Sequence, residues 1–397
     1  MMRLFLKIFL QLFFAAIILC ETVIGNDKWN DSSNSKMAST PKFFAVALGK
    51  VDNKKLCNSA NLCDLMILSP TSYPKIPSIL EEINKKIIIL GYCETMSSDA
   101  GNEEFMELNK HEDWFLHDGN GRRINVYVNK TNKRFGMDKT KEGYQEWLAN
   151  KCKKIIVAGY DGIFLDNIGV VFGYKNPFKY SGFPVGIDNS NWQKGSIKLL
   201  EKVKAAVGKK SIVVFNQISG DDNSKLFGLI KNNNGMDAMT ASISFVDACD
   251  GAMKENFFDN GKQINEEAPK FLDLLRILNK KNKYTLCLSR GNSARDAKTL
   301  YCLYLLALDG ENSFFSYQID YKTITWFDFY EKDLGEPLNE YSNYNGIGMR
   351  EYKNGLVVVN FNNMVKLVNL PGEFSNDKGQ KIKRLTLNGK TGELLFK

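Results

Sequence analysis

The chain predicts an α/β fold, a (β/α)8 barrel followed by a small all-β domain, and three observations carry that reading. Eight short apolar runs rich in Val, Ile and Phe recur between residues 43 and 317, each too short for a helix. Helix-length stretches with apolar residues at three and four spacing separate them. From Gly346 onward the helical period gives way to alternating runs broken by Gly, Pro and Asn. Strands buried on both faces with helices between them form parallel sheets, and eight such units argue for closure into a barrel.

The strand candidates in order are Phe43 to Leu48, Leu65 to Leu68, Ile87 to Tyr92, Gly162 to Leu165, Ile212 to Phe215, Phe245 to Met253, Tyr284 to Leu288 and Ser313 to Tyr317. Helices are expected over Asp138 to Val157, through Ile197, Leu200, Val203 and Val207, over Asn223 to Ile230, through Phe271, Leu274, Leu275 and Leu278, and over Ala294 to Leu308. The β tail reads as Gly348 to Arg350, Leu356 to Asn360, Lys366 to Leu370, Ile382 to Leu387 and Glu393 to Phe396. These runs place a barrel over 42–335 and a C-terminal β domain over 336–397, with the boundary in a charged segment holding Gly335 and Pro337.

At the N-terminus, Arg3 and Lys7 accompany an apolar run from Leu4 to Cys20 that ends near the small residue Gly25. This pattern reads as a cleaved signal peptide over 1–25, followed by a polar leader over 26–41 and export to a secreted, periplasmic or extracellular location. An uncleaved membrane anchor is the alternative, although the run is short for a bilayer span. No stable membrane insertion is expected after cleavage. Sequons stand at Asn30-Asp31-Ser32 and Asn129-Lys130-Thr131. Cys57 and Cys63 bracket a polar stretch and are candidates to close a small disulfide loop, whereas the remaining mature cysteines lie in apolar runs and read as buried thiols.

Composition narrows the chemistry. A net charge of +8, from 53 basic and 45 acidic residues spread along 397 positions, has no basic block and argues against a nucleic-acid partner. Only His111 and His117 exist, which is thin material for a His-rich metal site or a His-dependent triad. The chain has no phosphate loop, GxSxG elbow, HExxH or GxGxxG. Neither cofactor nor metal is called for.

In a barrel the chemistry sits at the carboxyl ends of the strands. Asp166 closes the fourth apolar run, with Asn167 opening the loop after it, and Glu255 closes the sixth, unless an alternative register makes Asp250 the strand end. Carboxylates on strands four and six reach one sugar-sized ligand from two sides, as acetal cleavage requires. Glu94 after the third strand, Asn167 after the fourth and Asn216 after the fifth are candidate binding residues for a carbohydrate substrate, and Tyr92, Trp114 and Trp192 are candidates to stack on sugar rings or, alternatively, to pack in the core. Asp161 precedes its strand and reads as structural, and His117 as a satisfied loop residue.

Several segments together resemble a known family: Trp114-Phe115-Leu116 followed by Asp118-Gly119-Asn120-Gly121, Met137-Asp138 before Trp147, the run Gly159 to Asp166, Asp250-Gly251 with Glu255, and Arg350 through Asn360. In that order they are similar to the hypothetical glycosyl hydrolase family fifteen, a (β/α)8 group related to endo-α-galactosaminidase and α-galactosidase barrels. The resemblance covers about Phe43 to Val368. It implies a glycoside hydrolase with Asp166 as nucleophile and Glu255 as acid/base, acting with retention on an oligo- or polysaccharide. That mechanism asks for an ionised Asp166 and a raised Glu255 pKa, for which Phe257 and Phe258 are the expected apolar setting. The alternative is a secreted carbohydrate-binding protein on a degenerate barrel.

Overall fold

The computed structural model describes residues 40–73, 76–126, 134–170, 184–219, 234–258, 264 and 268–397. The expected signal peptide, nearly all of the leader, both sequons and the helix expected over Asn223 to Ile230 lie outside them.

Eight parallel strands close the barrel: β1 (Lys42–Ala47), β2 (Leu65–Leu68), β3 (Ile88–Glu94), β6 (Gly162–Asp166), β7 (Ile212–Asn216), β8 (Gly251–Glu255), β9 (Tyr284–Arg290) and β10 (Ser313–Gln318). Between β3 and β6 the chain makes a small antiparallel pair, β4 (Ser97–Asp99) with β5 (Arg134–Gly136). Among the described residues the α-helices are α1 (Asn53–Leu62), α2 (Ile76–Ile83), α3 (Glu103–Leu108), α4 (Glu142–Val157), α5 (Asn189–Val207), α6 (Ala238–Asp247), α7 (Ala268–Lys280) and α8 (Ala294–Ala307).

Side chains alternate along each barrel strand. Phe44, Val46, Leu65, Ile67, Leu90, Phe164, Val214, Met253, Leu286, Leu288 and Phe314 form the filled interior, while the intervening residues face the helices in a larger core. Three aspartates close the amino-terminal end. Asp64, Asp161 and Asp250 each directly precede a strand, and each carboxylate accepts a backbone N–H from the strand next door: Phe43 at 2.9 Å, Ile89 at 2.8 Å and Val213 at 2.8 Å. Asp250 also receives Lys204 Nζ at 2.6 Å. Asp250 thus stands just before β8, and Glu255 is the residue that ends it.

The sixth strand differs from its expected span of Phe245 to Met253. Asp237 caps a helix by accepting the Thr240 N–H at 2.9 Å, and Ala241, Phe245 and Val246 are buried along its inner side. An apolar pair such as Phe245-Val246 fits either period, and the upstream cap decides for helix. The fourth helix begins at Glu142 rather than Asp138, because Asp138 Oδ1 accepts the Thr140 N–H at 2.9 Å and holds a turn there. The stretch between Cys57 and Cys63 is helical, not a loop, and both thiols are free, as are the five other described cysteines.

The tail is a six-stranded antiparallel sheet in the order β11 (Ser342–Tyr344), β12 (Ile347–Tyr352), β13 (Gly355–Asn360), β16 (Thr391–Phe396), β14 (Lys366–Ser375), β15 (Lys381–Leu387). One face has its own core around Leu356, Val358, Val368 and Leu395. The other covers α8, whose residues from Thr299 to Ala307 are all buried. Gly392 and Gly348 permit that approach, since a Cβ at either would stand 2.6 Å from Cys302 or 2.9 Å from Leu306. Residues 37–397 are one compact unit.

Candidate active site

Four neighbouring barrel strands each end on a polar residue: Glu94 on β3, Asp166 on β6, Asn216 on β7 and Glu255 on β8. Parallel register sets Glu94 directly beside Asp166. One amide then sits between each pair of acids. Asn216 Nδ2 donates to Asp166 Oδ1 and to Glu255 Oε2, at 2.8 Å each. Those two oxygens therefore lie no more than twice 2.8 Å apart. Asn167 Nδ2 donates to Glu94 Oε2 at 2.9 Å and to Asp166 Oδ2 at 3.2 Å.

The backbone turns sharply just past three of these strand ends. Asn167, Gln217 and Asn256 all have positive φ, at 60°, 77° and 56°, a conformation that side chains other than glycine adopt rarely and that clusters at functional sites. Local hydrogen bonds hold two of the turns, from Asn167 N to Asp166 Oδ1 at 2.8 Å and from Gln217 N to Asn216 Oδ1 at 2.7 Å. Gln217 Nε2 in turn donates to Asn167 Oδ1 at 3.0 Å, which orients that amide with its Nδ2 toward the acids.

Asp166 also accepts the Tyr92 hydroxyl at 2.7 Å. Burial raises its pKa, the hydrogen bonds from Asn216, Tyr92 and the Asn167 backbone oppose that, and the Glu255 charge pushes it up further. Glu94 accepts the Met96 N–H at 2.8 Å and meets Arg134 Nη2 at 3.5 Å. Its pKa is pushed up to about 7, by burial first and by the Asp166 charge second, with Arg134 and the hydrogen bonds acting the other way. The mouth thus holds three carboxyl groups, one of them half-protonated near neutrality.

Glu255 is held from the far side by Tyr321, whose hydroxyl donates to Oε1. The Arg290 guanidinium lies 5.0 Å from the Tyr321 ring centroid and donates to Asn256 at 2.9 Å. Phe257 and Phe258 do not form the apolar wall expected beside this carboxyl. Their rings meet edge to face at 4.8 Å and pack at steep angles on Phe271 of α7, within the helical layer. Lys254 also faces that layer, 5.2 Å from the Phe271 ring.

Of the residues expected at the site, the fold brings Tyr92, Glu94, Asp166, Asn167, Asn216 and Glu255 together. Trp114 is not among them. It stacks on His111 at 3.8 Å and against the start of α4 at Gly143, in a satellite core with Phe115, Met137 and Tyr144. Trp192 is buried in α5 and donates to the Gly169 carbonyl at 3.2 Å. His117 pairs with Glu112 at 2.7 Å, away from the carboxylates. Tyr321, Gln217 and Arg290 were not legible as site residues. Gln217 is the one with a signal, since it adjoins a strand-end amide.

With this geometry in view, the model of hypothetical glycosyl hydrolase family 15 matches residues 82–356, more than half of the chain. This chain belongs to that family. The family-15 match spans β3, β6, β7 and β8, and so every acid and amide just described. Membership makes the chain a glycoside hydrolase. No curated protein matches it. Among solved structures, the alpha-glucosyl transfer enzyme XgtA superposes with a TM-score of 0.54 at 10% identity, covering 90% of this chain and 98% of its own. Eubacterium rectale Amy13B gives 0.51 at 9%, covering 92% and 98%. The glycoside hydrolase domain of PelA from Pseudomonas aeruginosa covers 72% of this chain and 100% of its own, with 11% identity and a TM-score of 0.47. At these identities the likeness is one of fold.

Proposed function

We propose that this family-15 protein is a secreted, retaining O-glycoside hydrolase in which Asp166 is the nucleophile and Glu255 the acid/base. The observation that carries the reading is the single Asn216 amide donating to both acids at 2.8 Å. A shared donor keeps the two facing oxygens within twice 2.8 Å of each other, which supports the separation of about 5–5.5 Å used for double displacement over the roughly 6.5–9.5 Å that leaves room for an inverting water. In the first half of the cycle Glu255 protonates the leaving oxygen while an Asp166 oxygen bonds to the anomeric carbon. In the second half Glu255 takes a proton from water as it attacks that carbon, and Asp166 is released.

Tyr92, Asn167 and Asn216 stabilise the anionic form of Asp166 between these steps, and Glu94, at the same mouth, is placed to bind a sugar hydroxyl. Secretion rests on the apolar N-terminal run alone. The test is the anomeric configuration of the first product, followed by proton NMR on the oligosaccharide that shows turnover in a reducing-end release screen. Retention is expected, with Asp166→Asn folded and inactive. An inverted first product overturns the nucleophile assignment, and sugar binding without turnover by the native chain favours the carbohydrate-binding reading.

A further inference from the structure

Behind the carboxylates lies a lysine that the hydrolytic steps above do not use. Lys139 stands in the turn before α4 and is fully buried. Its Nζ donates to the backbone carbonyls of Asn167 at 3.0 Å and Ile168 at 2.6 Å, and sits 3.8 Å from the centroid of the Trp192 ring. All three partners are acceptors or an electron-rich face. A neutral amine has only two N–H bonds and a lone pair, which one of those three would repel, so the set fits an ammonium ion with its three donors.

The backbone holding this side chain is itself clamped. Gln145 Nε2 donates to the Lys139 carbonyl at 2.8 Å and to that of Gly195 at 3.2 Å, joining α4 to α5. Lys139 therefore grips, from a rigid base, the two carbonyls that follow Asp166. Asn167 has its left-handed backbone at this point and its side-chain amide between Glu94 and Asp166.

We propose that Lys139 is a positioning residue of the site: a fully buried lysine that holds the 167–168 loop so that the Asn167 amide spans Glu94 and Asp166, and whose ammonium form favours the ionised forms of both. The proposal rests on the reading of Asp166 as nucleophile. The groups facing the Glu94 and Asp166 pair include Tyr92 and Cys93 on β3, Arg134 on β5, Lys139 itself, Tyr144 on α4, Asn167, Asn216 on β7, Glu255 on β8 and Tyr321. Lys139 is the cation of the set that is wholly enclosed, and its field is the least screened by water. Burial pulls its own pKa well below the usual lysine range and Glu94 and Asp166 pull it back up, so the ammonium form is assigned by the two carbonyls and the Trp192 face around Nζ.

The test needs no substrate, so its failure is separable from a failure of the hydrolase reading. Infrared difference titration of protein carrying isotope-labelled glutamate follows the carboxylic acid band, with Glu94→Gln assigning it. The native midpoint is expected near 7. Lys139→Met should raise it by about one pH unit, a tenfold change in the ratio of ionised to protonated acid, and Lys139→Arg should return it at least halfway.

Direction separates the proposal from a merely structural role. Loosened packing admits water and lowers the midpoint toward that of an ordinary glutamate, whereas loss of the cation raises it. Should Lys139→Met fail to fold, Asn167→Gly keeps the left-handed backbone, removes the amide and should raise the midpoint with Lys139 intact. An unchanged or lowered midpoint in folded Lys139→Met, or in Asn167→Gly, overturns the proposal.

Discussion

At the scale of single residues, the mouth of the barrel is a row of acids separated by amides, and each acid has a different task. Glu255 is the proposed proton donor, so Glu255→Gln should slow glycosides with poor leaving groups by about a hundredfold or more while sparing activated aryl glycosides. Equal losses on both classes, measured as kcat, would remove that role. Glu94 carries a stability consequence. Its pKa is pushed up to about 7 in the folded chain from an ordinary glutamate value of 4.5, so the folded state binds more protons across that interval. Stability is full below about 4.5 and falls as pH rises toward 7, by at most about 1.4 kcal/mol per unit. Glu94→Gln should abolish this loss, making the variant more stable than the native chain at pH 8 but not at pH 4. Parallel urea midpoints for the two proteins at both pH values would sink the assignment.

At the scale of elements, the strand ends are useful only because the strands sit in register, and glycine helps to set that spacing at the start of β6. Gly162 opens β6 between β3 and β7, and a Cβ there would stand 2.2 Å from the Ile212 carbonyl oxygen and 2.8 Å from Leu90. The first contact is backbone and cannot swing aside. Gly162→Ala should therefore cost about 2 kcal/mol or more, and should shift β6 enough to lower kcat through Asp166 four residues on. Chemical denaturation and kinetics on the purified variant check both; a neutral substitution would mean that β6 tolerates sliding. The satellite hairpin of β4 and β5 delivers Arg134 to Glu94, a contact invisible in the sequence because forty residues separate the partners.

At the scale of the whole molecule, the β sheet and the barrel share α8. Arg350, on β12, reaches into the barrel side and donates to the carbonyls of Leu305 at 3.2 Å, Leu306 at 3.1 Å and Leu308, and to Asn339 at 2.9 Å. These include the last carbonyls of α8, which have no partner within their own helix. Arg350→Met removes the guanidinium from the buried Leu306 and Leu308 carbonyls, while Leu305 keeps the Tyr352 hydroxyl at 2.7 Å, and should cost about 3 kcal/mol, lowering the unfolding midpoint of the barrel as well as the sheet. If barrel and sheet unfold independently, far-ultraviolet circular dichroism in urea will show the helical transition unmoved.

The sequence by itself determined the barrel, the all-β tail and the positions at which chemistry is displayed. Those features follow from local period: a run that ends in Asp166 or Glu255 places that acid at a strand end whatever surrounds it. It reached Asn216 for the same reason, yet not its place between the two acids. Only closure of the sheet decided that, together with the arrival of Tyr321, Gln217 and Lys139 from loops and turns, and of Arg134 from the three-residue strand β5, none of which carries a periodic signal. Trp114 shows the converse. Its sequence neighbourhood suits a sugar platform, but the insertion between β3 and β6 folds around its own small core, and packing there competes for the ring. Which polar groups meet, how deeply each is buried and hence which acid keeps its proton are properties of through-space distance and local dielectric, and neither exists until the chain has closed.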